Sequence, residues 1–153
     1  MDNTNLQRHL DEHGIDAEIL PMSGRVRSVA EASQELGLPP DRFIKTVVFI
    51  DSEEKPILAI VKGTDRASSK RVGRALSIPP PTLATPEDAV RLTGYEVGGT
   101  PPVSIPDAKT LIDPNVMAME EVVGGGGTDH HLLRIRPASI LENTDGTVTR
   151  IRK

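Results

Sequence analysis

The chain has 153 residues, a formal net charge of −4 and no cysteine. The lack of cysteine excludes disulfides, thiolate metal sites and cysteine nucleophiles, and the acidic balance excludes binding to nucleic acid through bulk charge alone. No apolar run approaches the ~18 residues that a membrane span needs, and the polar segment 1–13 resembles neither a signal nor a transit peptide, so a cytoplasmic location is expected.

Apolar periodicity and turn residues predict helices that flank a set of short strands. Ser28 and Glu31 form a capping-box pattern at the start of one helix, and Thr85 followed by Pro86 marks the start of another. The expected elements, in chain order, are a helix capped by Asn3 and ending at Gly14, a strand at 15–22, a helix from Ser28 to Gly37, antiparallel strands at 43–50 and 56–61, helices at 66–76 and 85–93, a loop at 94–102, strands near 110–112, 120–123, 131–135 and 147–151, and a helical turn at 137–141.

This order of elements has no regular alternation of strands and helices, and no linker is long enough to divide the chain. Hairpins with flanking helices favour the α+β class over a doubly wound parallel sheet. The sequence therefore predicts a single domain over residues 1–153, with a mixed, mostly antiparallel sheet flanked by helices.

A lysine lies inside the predicted strand that is richest in β-branched and aromatic residues. Side chains alternate between the two faces of a strand, so Lys45 shares its face with Phe43, Val47 and Phe49. Two interpretations are open. The ammonium either reaches solvent at the end of the strand, or it lies in a cleft and holds an anionic or carbonyl group of a ligand.

Two glycine-rich segments are candidates for contact with a ligand. In the loop 94–102, Gly98 and Gly99 permit a close approach of the backbone, and the prolines after Thr100 stiffen the exit. The alternative is a purely structural turn. The run from 124 to 127 costs chain entropy unless a bulge, a crossing chain or a ligand requires small residues there.

The histidine pair after the glycine run lacks the spacing of a metal site. Adjacent residues of a strand point to opposite faces, so His130 and His131 do not readily share one ion, and no His-x-x-x-His or His-Glu-x-x-His pattern occurs. No metal is therefore expected. A metal-assisted hydrolase that uses either histidine is the weakest alternative, and a role of His130 as general acid, general base or ligand contact stays open.

Basic residues recur in the helix predicted at 66–76. Arg66, Lys70 and Arg74 line one face if that helix begins near Arg66, and Arg25 and Arg27 extend the basic set. The stripe is either a solvated helix face or a surface that follows the phosphates of an RNA.

Three segments together resemble the YbaK/ProX family of trans-editing deacylases, which is related to the insertion editing domain of bacterial prolyl-tRNA synthetases. Residues 43–49 resemble the family strand in which threonine follows lysine. Residues 93–102 resemble its Gly-Tyr-x-x-Gly-Gly-x-Ser-Pro loop, and residues 122–137 its closing glycine-rich turn and strand. The order and spacing agree over roughly residues 10–142. Two departures, Pro101 for serine and Asp129-His130 for Arg-Gly, leave the amino-acid specificity open.

The resemblance implies an α+β fold with a barrel-like sheet and a cleft for the acylated 3′ adenosine of a tRNA. It implies that the chain hydrolyses the ester of a mischarged aminoacyl-tRNA without metal or cofactor, with Cys- or Ala-charged tRNA for proline as the expected substrate. Water or a ribose hydroxyl of the substrate would attack the ester. A catalytically silent tRNA- or nucleotide-binding module on the same fold is the alternative.

The expected partners are the acceptor end of the tRNA and, as a candidate, prolyl-tRNA synthetase, with no membrane. Lys45 would anchor the terminal nucleotide or the aminoacyl group, and the turn from Gly98 to Pro102 would position the carbonyl and the amine. The residues assigned to the reaction are Lys45, Gly98, Gly99 and Pro102, and those assigned to substrate binding are Thr46, Tyr95, Thr100, Gly126, Gly127 and His130.

Overall fold

The computed structural model describes residues 1–153 and contains six α-helices and eight strands. The helices are α1 (Asn3–Glu12), α2 (Val29–Leu36), α3 (Ser69–Leu76), α4 (Pro86–Thr93), α5 (Pro114–Met117) and α6 (Pro137–Thr144), with a 3-10 turn at Pro40–Arg42. The strands are β1 (Ala17–Pro21), β2 (Ile44–Ile50), β3 (Pro56–Lys62), β4 (Thr82–Leu83), β5 (Lys109–Ile112), β6 (Val122–Gly125), β7 (His131–Ile135) and β8 (Thr147–Val148). None of the helices has the length and apolar character needed to cross a membrane.

The strands form two sheets that meet near the start of β2. The larger sheet has the order β4-β2-β3-β5-β8, in which β2 pairs antiparallel with β3 and β4, and the remaining pairs are parallel. The smaller sheet, β1-β7-β6, is antiparallel throughout. A bridge between Phe43 and Val123 joins the two sheets. The predicted α+β class with a mixed, mostly antiparallel sheet is confirmed, although the strands close no barrel.

The β2-β3 hairpin forms the centre of the larger sheet, as the sequence predicted. Its turn is fixed by Asp51, whose side chain accepts hydrogen bonds from the backbone N–H groups of Glu53 and Lys55, both at 2.9 Å. Ile57 to Val61 are almost completely buried, because β3 lies between β2 and β5 and is covered on both faces.

Helix α1 begins one residue earlier than predicted, because Asp2 and not Asn3 is its N-cap. The Asp2 carboxylate accepts a hydrogen bond from the N–H of Thr4 at 2.8 Å, and the Asn5 side chain accepts one from the N–H of Asp2 at 2.9 Å. This reciprocal pair is a capping box with asparagine in the third position. Leu6 and Leu10 face the core, as expected.

Helix α3 begins at Ser69, so the prediction of a helix from residue 66 is wrong at its start. Ser68 is the N-cap, and its hydroxyl accepts a hydrogen bond from the N–H of Arg71. The preceding residues pair with the C-terminal segment instead: Ser68 N donates to Ile151 O at 2.7 Å, and Lys153 N donates to Arg66 O at 2.8 Å. Arg66 therefore lies outside the helix that carries Lys70 and Arg74.

Several other boundaries also differ from those predicted. Helix α5 and strand β4 had no counterpart among the predicted elements, and α6 continues to Thr144. Strand β6 extends into the glycine run because Gly124 and Gly125 pair with Leu133 and Leu132 of β7.

A buried carboxylate anchors the end of the chain. Asp113 is 0% exposed and caps α5, where it accepts a hydrogen bond from Asn115 N at 2.9 Å. It also accepts hydrogen bonds from the N–H groups of Ile151 and Arg152 at 3.0 and 3.1 Å, and from the Arg152 guanidinium at 2.7 Å. Burial alone would raise the pKa of Asp113, but these four hydrogen bonds outweigh it and hold the pKa below its usual value.

Replacing Asp113 by alanine is expected to lower the free energy of unfolding by about 3 kcal/mol, because the buried donors from residues 151 and 152 lose their acceptor. Since the pKa of Asp113 is lowered by folding, its contribution is present above the ordinary carboxyl pKa of about 3.9 and is lost as the pH falls through the folded value. Urea unfolding at neutral and acidic pH measures both effects.

The matched control for this substitution is Glu18→Ala, which removes an exposed ion pair with Arg134. This change should cost less than about 1 kcal/mol, since solvent screens exposed pairs. Equal losses for the two variants would contradict the anchoring role of Asp113.

Candidate active site

A cleft of about 440 Å³ opens between β2, the residues that precede and begin α2, the loop after α4, and β6. Most of its wall is apolar, as in many ligand pockets. The polar side chains that reach the wall are few, and they include Lys45 and Thr46 of β2, Arg27 and Ser28 before α2, and Thr100 of the loop.

Lys45 is half-buried in the wall of this cleft, on a strand whose centre is fixed by the hairpin. Burial lowers the pKa of its ammonium, and the positive charge of Arg66 lowers it further, whereas Asp65 raises it. The cleft thus holds a cation with reduced hydration, which interacts with a bound anion or carbonyl more strongly than a fully solvated lysine does.

The loop after α4 reaches the same cleft through Gly98 and Thr100. Gly98 has a φ of +91°, a left-handed conformation that favours glycine. The N–H of Gly99 donates to Glu96 O at 3.0 Å and so closes the turn, whereas the N–H groups of Gly98 and Thr100 donate no hydrogen bond within the chain. Two residues of the cleft wall thus carry backbone N–H groups that have no partner within the chain.

The glycine run at 124–127 packs directly against this loop, backbone to backbone. Gly127 N donates to Gly99 O at 2.8 Å. A Cβ on Gly99 would lie 2.8 Å from the backbone of Thr128, and a Cβ on Gly125 would collide with the carbonyl group of Thr100. Of the three causes considered for the glycine run, a crossing chain is the one observed.

The structure brings together four of the residues assigned to the reaction and to substrate binding: Lys45, Thr46, Gly98 and Thr100 line the cleft. The other six do not line it. Gly99 lies behind the loop surface, Pro102 lines a second cavity, and the side chain of Tyr95 is completely buried with its hydroxyl 2.8 Å from that of Ser104. The remaining three are Gly126 and Gly127, which pack against β7 and the start of α1, and His130, which is exposed.

Asp129 contacts three basic side chains at the mouth of the cleft. It lies 3.1 Å from Arg27 Nε, 3.7 Å from Arg25 Nε and 2.7 Å from His130 Nδ1. Partial burial raises the pKa of Asp129, but hydrogen bonds from Arg27 and His130 and the charge of Arg25 outweigh it and lower the pKa. Asp129 therefore holds two arginines beside each other, and one of them, Arg27, also lines the cleft.

The three other basic residues that the sequence assigned to tRNA binding are exposed and lie in two places. Lys70 and Arg74 are one helical turn apart on α3, whereas Arg66 lies before the helix, where its charge influences Lys45.

No group of three His, Asp or Glu side chains is arranged to hold a metal ion. The Nδ1 atom of His131 is 2.6 Å from the Thr128 hydroxyl.

Some cleft residues were missed by sequence reasoning. Gly124 and Gly125 line the wall, although only the last two glycines of the run were assigned to the site. Leu83 and Val97 also line it and are 66% and 54% exposed, which makes an apolar rim. The glycine run was a usable signal for the first pair, whereas nothing in the sequence separates Leu83 and Val97 from core residues.

Comparison with known proteins finds relatives in sequence and in fold. The model of the aminoacyl-tRNA editing domain family matches residues 24–142. The proline–tRNA ligase of Latilactobacillus sakei subsp. sakei (strain 23K) is 31% identical over 115 residues, which are 74% of this chain and 20% of that protein. For the proline–tRNA ligase of Thermotoga neapolitana the identity is 29% over 115 residues, 74% of this chain and 19% of that protein.

The chain thus spans about a fifth of the length of these curated relatives. Among solved structures, a candidate trans-editing enzyme for prolyl-tRNA synthetase superposes with a TM-score of 0.89 at 27% identity, over 99% of this chain and 96% of that one. A hypothetical protein superposes with a TM-score of 0.91 at 28% identity, over 97% of this chain and 99% of that one.

Replacing Gly125 by alanine is expected to lower the free energy of unfolding by about 1–3 kcal/mol, because the new methyl group forces the loop at Thr100 away from β6. Gly24→Ala is the matched control, since a Cβ there has no neighbour within 4 Å. Urea unfolding compares the two variants, and equal stability would contradict the close backbone contact.

The pKa of the Lys45 ammonium is expected to be lower than that of an ordinary lysine, which is about 10.4. Arg66→Gln should raise the pKa of Lys45 because it removes a like charge, and Asp65→Asn should lower it because it removes an opposite charge. A ¹³C NMR titration of the lysine Cε resonances measures these shifts. A reversed order of the two variants would refute the described environment of Lys45.

Proposed function

The chain belongs to the aminoacyl-tRNA editing domain family, whose model matches residues 24–142, and on that premise we propose that it acts in trans as a deacylase of mischarged aminoacyl-tRNA. The observation that carries the proposal is the placement of Lys45 in one cleft with the Gly98–Thr100 loop. The proposed reaction is hydrolysis of the ester that joins an amino acid to the 3′ end of a tRNA.

The chemistry of the cleft suits an ester that is already activated. The free N–H groups of Gly98 and Thr100 are the donors that we assign to the carbonyl oxygen, on which negative charge develops when a nucleophile attacks. The Lys45 ammonium supplies positive charge for the same region or for the terminal nucleotide. A water molecule or the neighbouring ribose hydroxyl would be the nucleophile, so that positioning supplies most of the rate enhancement.

The shape of the cleft bears on the amino acid that is removed. Its wall is formed largely by valine, alanine and glycine residues, and the Thr46 side chain is one of the few polar groups. Such a wall suits a small, weakly polar side chain, which is the kind that a synthetase pocket discriminates by only ~1–3 kcal/mol. We therefore propose alanine or cysteine as the amino acid removed.

The tRNA is proposed to be that for proline, because the curated relatives named above are proline–tRNA ligases that contain a segment similar to this chain. The same relation makes prolyl-tRNA synthetase the candidate protein partner. Arg25 and Arg27 at the mouth of the cleft, with Arg66, Lys70 and Arg74, would contact the phosphates of the acceptor end. These local basic groups compensate for a chain that is acidic overall.

The test is a panel of tRNAs for proline charged with alanine, cysteine or proline and incubated with the purified protein. Rapid loss of the alanyl or cysteinyl ester and a stable prolyl ester are expected. Lys45→Ala should lower kcat/KM by about 100-fold or more, the effect typical of losing one group that stabilises the transition state. Lys55→Ala, at the turn of the same hairpin, is the matched control and should leave the rate unchanged.

Two outcomes would contradict the proposal in different ways. Unchanged turnover of the Lys45→Ala variant would remove Lys45 from the mechanism. Tight binding of an acylated tRNA whose ester stays intact would instead identify the chain as a silent binding module.

A further inference from the structure

The wall of the cleft contains two positively charged side chains and no acidic one. Lys45 and Arg27 line it, and none of the other lining residues is an aspartate or a glutamate. Lys45 takes part in no ion pair. The charge that meets a bound acyl group is therefore positive.

The carboxylates nearest to the cleft are already engaged or lie outside its wall. Asp129, at the mouth, contacts two arginines and His130. Glu31 of α2 accepts hydrogen bonds from the Ser28 hydroxyl at 3.2 Å and from the N–H of Arg27 at 3.3 Å. The acidic residues of the other elements around the cleft do not line it: Asp65 after β3, Glu87 and Asp88 of α4, and Glu96 of the loop.

Covalent geometry keeps the α-amine of an aminoacyl ester close to the ester carbonyl. The amine nitrogen is three bonds from the carbonyl oxygen, so the two atoms are less than about 4.2 Å apart. If the Lys45 ammonium contacts that oxygen, a protonated amine lies within about 7 Å of it. Two like charges at this separation in a partly apolar cleft weaken binding by about tenfold or more.

The acceptor that β2 offers in this wall is uncharged. Val48 O accepts a hydrogen bond from Ala84 N at the outer edge of β2, so the backbone groups of Thr46, two residues earlier, point to the same edge. Strand β4 pairs with β2 only at Phe49 and Ile50, which leaves the Thr46 carbonyl without a strand partner on that side. A carbonyl accepts a hydrogen bond from a neutral amine or a hydroxyl as well as from an ammonium.

We propose that the cleft takes the acyl group in its uncharged form, with the α-amine unprotonated or replaced by a hydroxyl. Esters of tRNA with α-hydroxy acids such as lactate are then a further class of substrate. This inference rests on the proposed deacylase function and extends its substrate class. Hydrolysis adds water across the ester bond and releases the hydroxy acid and the free ribose hydroxyl, so no other reactant is required.

The proposal predicts a dependence on pH that belongs to the substrate. The α-amine of an amino-acid ester resembles a chain terminus, whose pKa is about 7.7–8.0, so its neutral fraction rises more than tenfold between pH 6.5 and 8.5. Lactate has no such group. The titratable groups of the protein near the cleft, among them Lys45 and His130, act on both substrates alike, so the ratio of the two rates removes their contribution.

The experiment compares the alanyl and lactyl esters of tRNA for proline with the whole protein, after subtraction of spontaneous hydrolysis. At pH 6.5, kcat/KM should be about tenfold higher for the lactyl ester, and the two values should converge by pH 8.5. A ratio that does not change with pH would overturn the proposal, and so would hydrolysis of the alanyl ester alone.

Two valine substitutions test the lack of an acidic group in the wall. Val97 lines the cleft and is 54% exposed, whereas Val90 is 41% exposed on α4 and lies outside the wall. Val97→Asp should raise the alanyl-to-lactyl ratio of kcat/KM at pH 6.5 by about fivefold, because the new carboxylate attracts the ammonium. Val90→Asp adds the same charge elsewhere and is the matched control. Equal ratios in the two variants would contradict the proposal.

A binding measurement separates this proposal from the editing function. The probes are adenosines that carry an alanyl or a lactyl group on a 3′ amide, which is not hydrolysed, and NMR titration gives their affinities. Tighter binding of the lactyl amide at pH 6.5, with equal affinities at pH 8.5, is expected. This result without hydrolysis of any ester would refute the deacylase alone, whereas hydrolysis of both esters with equal amide affinities at both pH values would refute this inference alone.

Discussion

The close contact between two glycine-bearing segments is the constraint on which the cleft depends. The loop after α4 and the run that ends β6 approach until Gly127 N donates to Gly99 O at 2.8 Å. Because the loop and β6 both line the cleft, this contact fixes how these two parts of its wall lie against each other. The bridge between Phe43 and Val123, two residues that line the cleft, joins the two sheets. Side chains on either glycine segment would force the walls apart.

A few charged side chains lie in the cleft and at its mouth. Lys45 is left without a carboxylate in the cleft wall, and its nearest charged influences, Arg66 and Asp65, have opposite effects on its pKa. At the mouth, Asp129 binds Arg25 and Arg27, so the two guanidinium groups are held close together despite their mutual repulsion. An acidic protein can thus present a local positive surface where an anionic substrate would enter.

Local rules predicted the features that local interactions determine. The hairpin of β2 and β3 and the caps at Ser28 and Thr85 were predicted because alternation and capping depend on a few neighbouring residues. The start of α3 was not, because residues 66–68 pair with a segment that is more than eighty positions away in the sequence. The membership of the cleft wall depends on such long-range contacts as well. Lys45, which the sequence singled out, lies in that wall, and so does Leu83, which it did not.

The same limit explains why only four of the ten residues that the sequence assigned to the reaction and to substrate binding line the cleft. A motif identifies a segment but not which of its side chains or backbone groups face the ligand, and Tyr95 and Pro102 of the loop motif face other parts of the molecule. The hydrogen bonds that Asp113 accepts from residues 151 and 152 had no signal in the sequence, since these partners lie 38 and 39 positions away along the chain.

The buried position of Tyr95 has a practical consequence for spectroscopy. The chain contains one tyrosine and no tryptophan, so the emission excited at wavelengths beyond the phenylalanine band comes from this side chain. The ring belongs to the segment that leads into the cleft loop, and its hydroxyl contacts Ser104, which lines the other cavity. The protein therefore contains one native fluorophore, and it lies between the two cavities without any labelling.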